Sequence, residues 1–207
     1  MPRMTTLPAA PPHAAAFDRL LAEVRACTCC GPQLPAGPRP VLQAHPDARL
    51  LIAAQAPGRR VHETGIPFHD ASGERLRRWL GLSSAVFHDA RRVAILPMGF
   101  CYPGRGRSGD LPPRPECAPR WRTRLLAGLP HLELTLVIGH HALAWHLPGW
   151  RGDLAQAVRS TACADDADVV VLPHPSPRNN VWLARHPWFE AEVVPRLQAR
   201  VARLLGS

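Results

Sequence analysis

The chain contains no lysine; every one of its 25 basic residues is arginine. No side-chain amine is therefore on hand to form an imine with a carbonyl carbon, and only the α-amine of the N-terminus could take that part. Also missing is any stretch of about 18 apolar residues, the length that a membrane-spanning helix needs. The opening segment, Met1-Pro2-Arg3-Met4-Thr5-Thr6-Leu7-Pro8, is too rich in proline and too weakly apolar for a secretory signal. These absences point to a cytoplasmic protein without membrane contact, with a short disordered leader at 1–13. Acidic residues are scarce as well, 16 in all, which leaves a formal net charge of +9. A basic domain attracts polyanions, and arginine is the side chain that grips phosphate in a bidentate fork. The base composition of the gene is a second source of the arginine bias, and charge alone does not separate DNA from RNA.

Apolar periodicity predicts a helix at about 14–26, with Phe17, Leu20, Leu21 and Val24 on one face. A Gly/Pro-rich segment, 31–40, leads into a buried strand near 50–54. A Gly- and Arg-rich loop (58–73) and a helix at about 74–80 follow. The next unit reads as a strand at 93–98, a long loop at 102–115 and a helix at about 116–126. A third strand at 132–139 precedes a short helix containing Trp145; a fourth strand at 168–173 precedes a closing helix at about 187–205. Short continuous apolar strands alternating with helices indicate a parallel sheet covered on both faces. The expected architecture is a single α/β domain over 14–207, a three-layer α/β/α stack with a central four-stranded parallel sheet. No internal repeat or coiled coil is visible, and a monomer is expected.

In such a sheet, ligands bind in the crevice beyond the carboxyl ends of the strands. Two proline-containing turns fall there: Gln55-Ala56-Pro57-Gly58 after the first strand, and His174-Pro175-Ser176-Pro177-Arg178-Asn179 after the fourth. One carries an amide and the other an imidazole, so they read as two walls of one pocket. The Gln55 amide can orient a water but cannot take its proton near neutral pH. His174 is the candidate hydrogen-bond donor, backed by backbone N–H groups near Gly58. Arg105, Arg107 and Ser108 on the long loop suit phosphate contacts, or a solvated surface. The tandem His140-His141 either joins the pocket or caps the following helix.

Six cysteines in a cytosolic chain argue for metal or redox chemistry before disulfides. Cys27 and Cys30 have the spacing with which two thiolates grip one centre; Cys101 and Cys117 follow far downstream. Four thiolates serve either an iron–sulfur cluster or an all-cysteine zinc site, the alternative being buried inert thiols. Cys29 is an adjacent competitor, and Cys163 has no visible partner.

Together these features resemble the uracil-DNA glycosylase superfamily, over nearly the whole chain from Cys27 onward. The segment 49–58 resembles its first motif and 174–179 its second. Thr64-Gly65-Ile66-Pro67-Phe68 is similar to the Gly-x-Pro-Phe whose ring stacks on a flipped base. The order of the cysteines resembles that of the iron–sulfur (family 4-like) bacterial enzymes. The resemblance implies a base-excision repair enzyme that hydrolyses the N-glycosidic bond of uracil or a related deaminated base in DNA. It assigns Gln55 and His174 to catalysis, and Ala56, Pro57, Gly58, Phe68, Met98, Gly99 and Phe100 to the base pocket. Ser176, Arg178, Asn179, Asn180, Arg105 and Arg107 would contact DNA. Cys27, Cys30, Cys101 and Cys117 would hold a structural 4Fe–4S cluster, with structural zinc as the alternative. The missing lysine makes the expected enzyme monofunctional.

Two departures accompany the resemblance. Where relatives carry acids around the first motif, this chain has Ala56 and then Arg59-Arg60-Val61-His62, leaving His62, Glu63 and Asp70 as the nearest candidate bases. Relatives also place a base-reading asparagine before the third cysteine, where this chain has Leu96-Pro97-Met98-Gly99-Phe100; backbone groups of Met98 to Phe100 would have to substitute, or a different damaged base is read. The rival expectations are a non-catalytic iron–sulfur DNA-binding protein of the same fold and a relative that traps abasic sites covalently through the stretch 59–62.

Overall fold

In the computed structural model, residues 12–206 are described, apart from 108, 163, 165 and 166. Most of the expected leader, together with Ser108 and Cys163, lies outside them. Strands β1 (Leu50–Ala53), β2 (Val93–Ile95), β3 (Leu134–Ile138) and β4 (Val169–Leu172) form a four-stranded, all-parallel sheet in the order β2-β1-β3-β4. The helices, in chain order, are α1 (Pro12–Arg25), α2 (Arg59–Thr64), α3 (Ala71–Leu80), α4 (Ser84–Phe87), α5 (Cys117–Ala127), α6 (Gly139–His146), α7 (Leu154–Ala162), α8 (Asn180–Arg185) and α9 (Val194–Leu205).

The strands are uninterrupted apolar runs because both faces of the sheet are covered. Alternation along β1 and β2 sends Leu51 and Ala94 to one face, where Phe17, Leu21 and Val24 of α1 and Trp121 and Leu125 of α5 meet them. Leu50, Ile52, Val93 and Ile95 face the other way, against Leu76, Trp79 and Leu80 of α3 and Leu197 and Val201 of α9. The expected α/β/α layering is what the chain adopts.

Differences from the sequence reading have local causes. Inside the expected loop at 58–73, α2 forms between two glycines, and Gly65 ends it in the left-handed conformation at φ 73°. Strand β2 stops at Ile95, two residues before Pro97, which has no N–H to give a ladder. The closing helix opens as a π-turn at Phe189–Val193, ahead of Pro195, whose missing N–H prevents a regular α-helical entry. The first helix already begins at Pro12, a residue suited to the first helical turn.

Candidate active site

Beyond the carboxyl ends of β1 and β4 lies a cavity of about 550 Å³, a size typical of small-ligand pockets. Gln55, Ala56, Pro57 and Gly58 line it, and so do His174, Ser176, Arg178 and Asn179. The two turns therefore meet. Phe68 and Pro97 complete the wall, together with two carboxylates, Asp70 and Asp110.

The His174 turn is held by its own hydrogen bonds. The Ser176 N–H donates to His174 Nδ1 (3.1 Å), and Asn179 Nδ2 donates to the His174 carbonyl (3.1 Å). From α3, Arg75 donates to the Ser176 carbonyl at 3.3 Å. Because Nδ1 accepts, the neutral ring must carry its proton on Nε2, which becomes a donor. Burial pushes the His174 pKa below the ordinary histidine value; Asp70 and Asp110 pull it up in part, and His140 adds to the lowering. The ring is thus a neutral donor at pH 7.

Asp70 caps α3. Its Oδ1 accepts from Gly73 N at 2.9 Å, leaving Oδ2 to face Gly58. A Cβ added at Gly58 would meet Asp110 Oδ2 at 3.6 Å and Asp70 Oδ2 at 3.7 Å. The bare glycine is what keeps the space between the two carboxylates open. Asp110 is brought there by one long-range and one local contact: Gln55 Nε2 donates to the neighbouring Leu111 carbonyl (3.2 Å), and Arg105 and Asp110 form a backbone bridge that closes their loop.

Phe68 stands in the left-handed region at φ 55°, unusual for an aromatic residue. Its ring packs edge-on against Phe87 (centroids 5.9 Å, 86°). Its carbonyl lies so close to Gly73 that a Cβ there would overlap it. One glycine thus allows α3 to start directly beneath the aromatic wall.

Other expected site residues are placed differently. Met98 and Phe100 are turned into the two cores, and Gly99 faces the cysteines, so none of the three lines the cavity. Their N–H groups are engaged elsewhere: Met98 N donates to Ala54 O (2.7 Å), Gly99 N to Gln55 O (3.0 Å) and Phe100 N to Cys117 Sγ (3.4 Å). Of the residues expected in the base pocket, Ala56, Pro57, Gly58 and Phe68 line the cavity, and 98–100 do not. Arg105 and Arg107 are exposed on the loop that ends at Asp110, and Asn180 opens α8; none of them lines the cavity. His62 packs against Tyr102 and also lies outside the cavity lining, while Glu63 pairs with Arg59 at 2.9 Å. The rings of His140 and His141 meet at 4.0 Å, tilted by 40°, in the first turn of α6, whose cap carries no side-chain hydrogen bond. Of the two carboxylates in the cavity, Asp110 carries no sequence signal; Asp70, two positions past Phe68, is among the candidate bases.

On the α1/α5 face, Cys27, Cys30, Cys101 and Cys117 line a small cavity of about 20 Å³ with Arg114 and Trp121. Cys29 is exposed and outside that lining. Burial raises the thiol pKa of Cys30 and Cys101 and takes that of Cys117 up to about 12, the opposite of a reactive nucleophile. Among the described residues, no group of three or more His, Cys, Asp or Glu side chains is arranged to hold one metal ion.

Residues 42–198 match the Uracil DNA glycosylase superfamily. That stretch begins ahead of β1, ends inside α9, and contains both turns, the aromatic wall and the two carboxylates. The chain belongs to the uracil DNA glycosylase superfamily.

Proposed function

We infer that the protein is a monofunctional DNA glycosylase that hydrolyses the N-glycosidic bond of uracil or a related deaminated base, leaving an abasic site for base-excision repair. The observation that carries this reading is the meeting of the 55–58 and 174–179 turns in one cavity with Phe68. A base inside a duplex cannot be reached, so the nucleotide would be flipped into that cavity, where Phe68 offers its face for stacking. Bond breaking leaves negative charge on the departing base. The Nε2–H of neutral His174 is suited to stabilise it, as a preorganised donor does at any developing anion. The sugar becomes cationic, and Asp70 and Asp110 supply the negative field and the water-orienting oxygens that sequence alone left unassigned. Gln55 then acts mainly by fixing the Leu111 segment beside Asp110. Ser176, Arg178, Asn179 and Asn180 would enter the DNA at the flipped site, with Arg105 and Arg107 on flanking phosphates. The missing lysine argues against an imine-forming lyase, and the position of His62 outside the cavity lining argues against covalent trapping through it.

We assign a 4Fe–4S cluster to Cys27, Cys30, Cys101 and Cys117. Their convergence on one cavity supports it. So does the orphaned, buried Nε of Arg114, which lines the same cavity and is a donor suited to anionic sulfur. A cluster fixes each thiolate to a different iron, so it does not require the four sulfurs to converge on a point as zinc does. When bound, it would fasten α1, the β2 exit and α5 together. A cytoplasmic monomer acting on DNA remains our reading.

The test is excision by anaerobically purified protein on single- and double-stranded oligonucleotides carrying one uracil, hypoxanthine or xanthine, followed by alkali. Alkali-dependent cleavage at one base establishes the glycosylase and names its substrate. Intact DNA on every substrate, despite binding, overturns the enzyme reading. A sharper variant is Gly58→Ala. Its Cβ meets only ordinary van der Waals distances, so stability should change by no more than about 0.5 kcal/mol. Excision should nonetheless fall at least tenfold, because the methyl occupies the space between Asp70 and Asp110. Wild-type turnover in Gly58→Ala would remove the carboxylates from the mechanism.

A further inference from the structure

Arg122 is the one charged side chain in the described core, at 0% exposure. Its Nη1 donates to the Leu96 carbonyl (2.7 Å) and, more weakly, to that of Pro97 (3.4 Å). Nη2 donates to His146 Nε2 at 2.7 Å, while Nε has no partner. All of these acceptors are neutral. Burial pushes its pKa down to about 10, still cationic at pH 7. An unpaired buried cation is costly, so a fold that keeps one implies an anion nearby. Arg114 repeats the pattern at the other side of the cysteine cavity. It lines that cavity, its Nη2 donates to Glu116 (2.8 Å), and its Nε is buried without a partner. Glu116, which accepts the Cys30 S–H at 3.9 Å, is the carboxylate at this rim, and Arg114 neutralises it.

We propose that Arg122 and Arg114 are the outer partners of the anionic centre held by Cys27, Cys30, Cys101 and Cys117. Arg122 is its buried counter-charge behind Cys117, and Arg114 is the hydrogen-bond donor at its rim. The proposal rests on the cluster assignment above. It goes beyond that assignment by giving two arginines a share in retaining and tuning the group. Partners of this kind typically govern metal affinity by about 10–100-fold, and charge and hydrogen bonds around the sulfurs set the reduction potential. Arg122 also fastens the Leu96-Pro97 carbonyls, and Pro97 is in the wall of the base cavity, so the same guanidinium is a positioning residue for both sites.

The experiment compares full-length wild type, Arg122→Met, Arg122→Lys, Arg114→Met and Arg114→Lys, all prepared anaerobically. Iron release to a chelator and the midpoint potential are measured. Met and Lys are similar in length, so the pair isolates charge from packing. Release from Arg122→Met should be about tenfold faster or more, with the potential shifted to more negative values, because a lost cation disfavours the reduced state. Arg122→Lys should recover most of both. Equal release and an unchanged potential in the two Arg122 variants would overturn the proposal. If Arg122→Met does not accumulate, the Arg114 pair decides it in the same way. Wild-type protein that contains zinc or no metal overturns the cluster assignment and the proposal with it. Wild-type protein with iron but with indifferent variants overturns the proposal alone.

Discussion

His174→Ala should lower excision by about 10²–10³-fold, the cost of removing one preorganised donor from a developing anion, while DNA affinity stays within a few-fold. The asymmetry follows from the geometry. His174, Arg178 and Asn179 all line the cavity, but the imidazole is the group suited to the departing base and the Arg178 guanidinium the one suited to a phosphate. The Asn179–carbonyl and Arg75–Ser176 bonds use backbone oxygens, so they survive truncation of the imidazole. The Ser176 N–H loses its acceptor, and the turn should loosen only at that point. Single-turnover excision and equilibrium binding to the same oligonucleotide separate the two effects. A parallel collapse of binding would make His174 a structural part of the DNA grip and not the donor.

A pH dependence follows from the same ring. Its folded pKa is depressed, chiefly by burial, so the unfolded chain binds the proton more readily. The stability that the neutral ring contributes is fully present above about pH 6.5, the unfolded value, and is lost as pH falls through the lower folded value. Protonation also removes Nδ1 as acceptor for Ser176. Urea unfolding at pH 7.5, 6.5 and 5.5 should therefore show wild type losing stability relative to His174→Gln only on the acid side. A constant difference across that range would mean that the ring does not resist protonation.

Gly73→Ala should be the most damaging small substitution, destabilising by roughly 3 kcal/mol or more, in the range of mutations that force backbone strain. The added methyl would overlap the Phe68 carbonyl, and a carbonyl has no flexible end to swing aside. Relief requires moving either the left-handed Phe68 or the first turn of α3, where Asp70 caps the Gly73 N–H. Either movement displaces a wall of the cavity, so excision should fall together with the denaturation midpoint. Phe68→Ala supplies the contrast: it removes the stacking face and an edge contact to Phe87 but leaves the backbone path alone, so activity should drop with a smaller stability loss. If Gly73→Ala unfolds like wild type, the close approach of α3 to Phe68 is not what shapes this wall.

The sheet was legible because buried parallel strands leave continuous apolar runs, as in Val169–Leu172, and the runs of β1, β2 and β4 are each followed within a few residues by proline. The α2 helix was not, since Val61 is its one buried residue and periodicity needs several. What forms it is a glycine at each end and the Arg59–Glu63 pair, neither of which leaves a hydrophobic pattern. The two turns of the site were legible through their places at strand ends. Asp110 was silent because the hydrogen bond from Gln55 to the Leu111 carbonyl, 56 positions away in the chain, carries its loop to the cavity, and that is a tertiary fact. The stretch 98–100 stands apart from the cavity lining for the converse reason. Its position in the chain is right for a pocket, but its N–H groups are already spent on β1 and on Cys117.

That last commitment bears on which part of the cavity wall is free to change. A segment whose N–H groups are bonded to Ala54, Gln55 and the Cys117 sulfur has little freedom to vary, so variation in the wall falls to the 104–113 loop that delivers Gly109 and Asp110. This loop closes on itself through the Arg105–Asp110 bridge and the Leu111 N–H to Gly104 carbonyl bond, is held by Gln55 at the Leu111 carbonyl, and, among its described residues, gives none to either core. It can be rewritten, by drift or by design, without disturbing the sheet beneath, which makes it an interchangeable module on a fixed chassis.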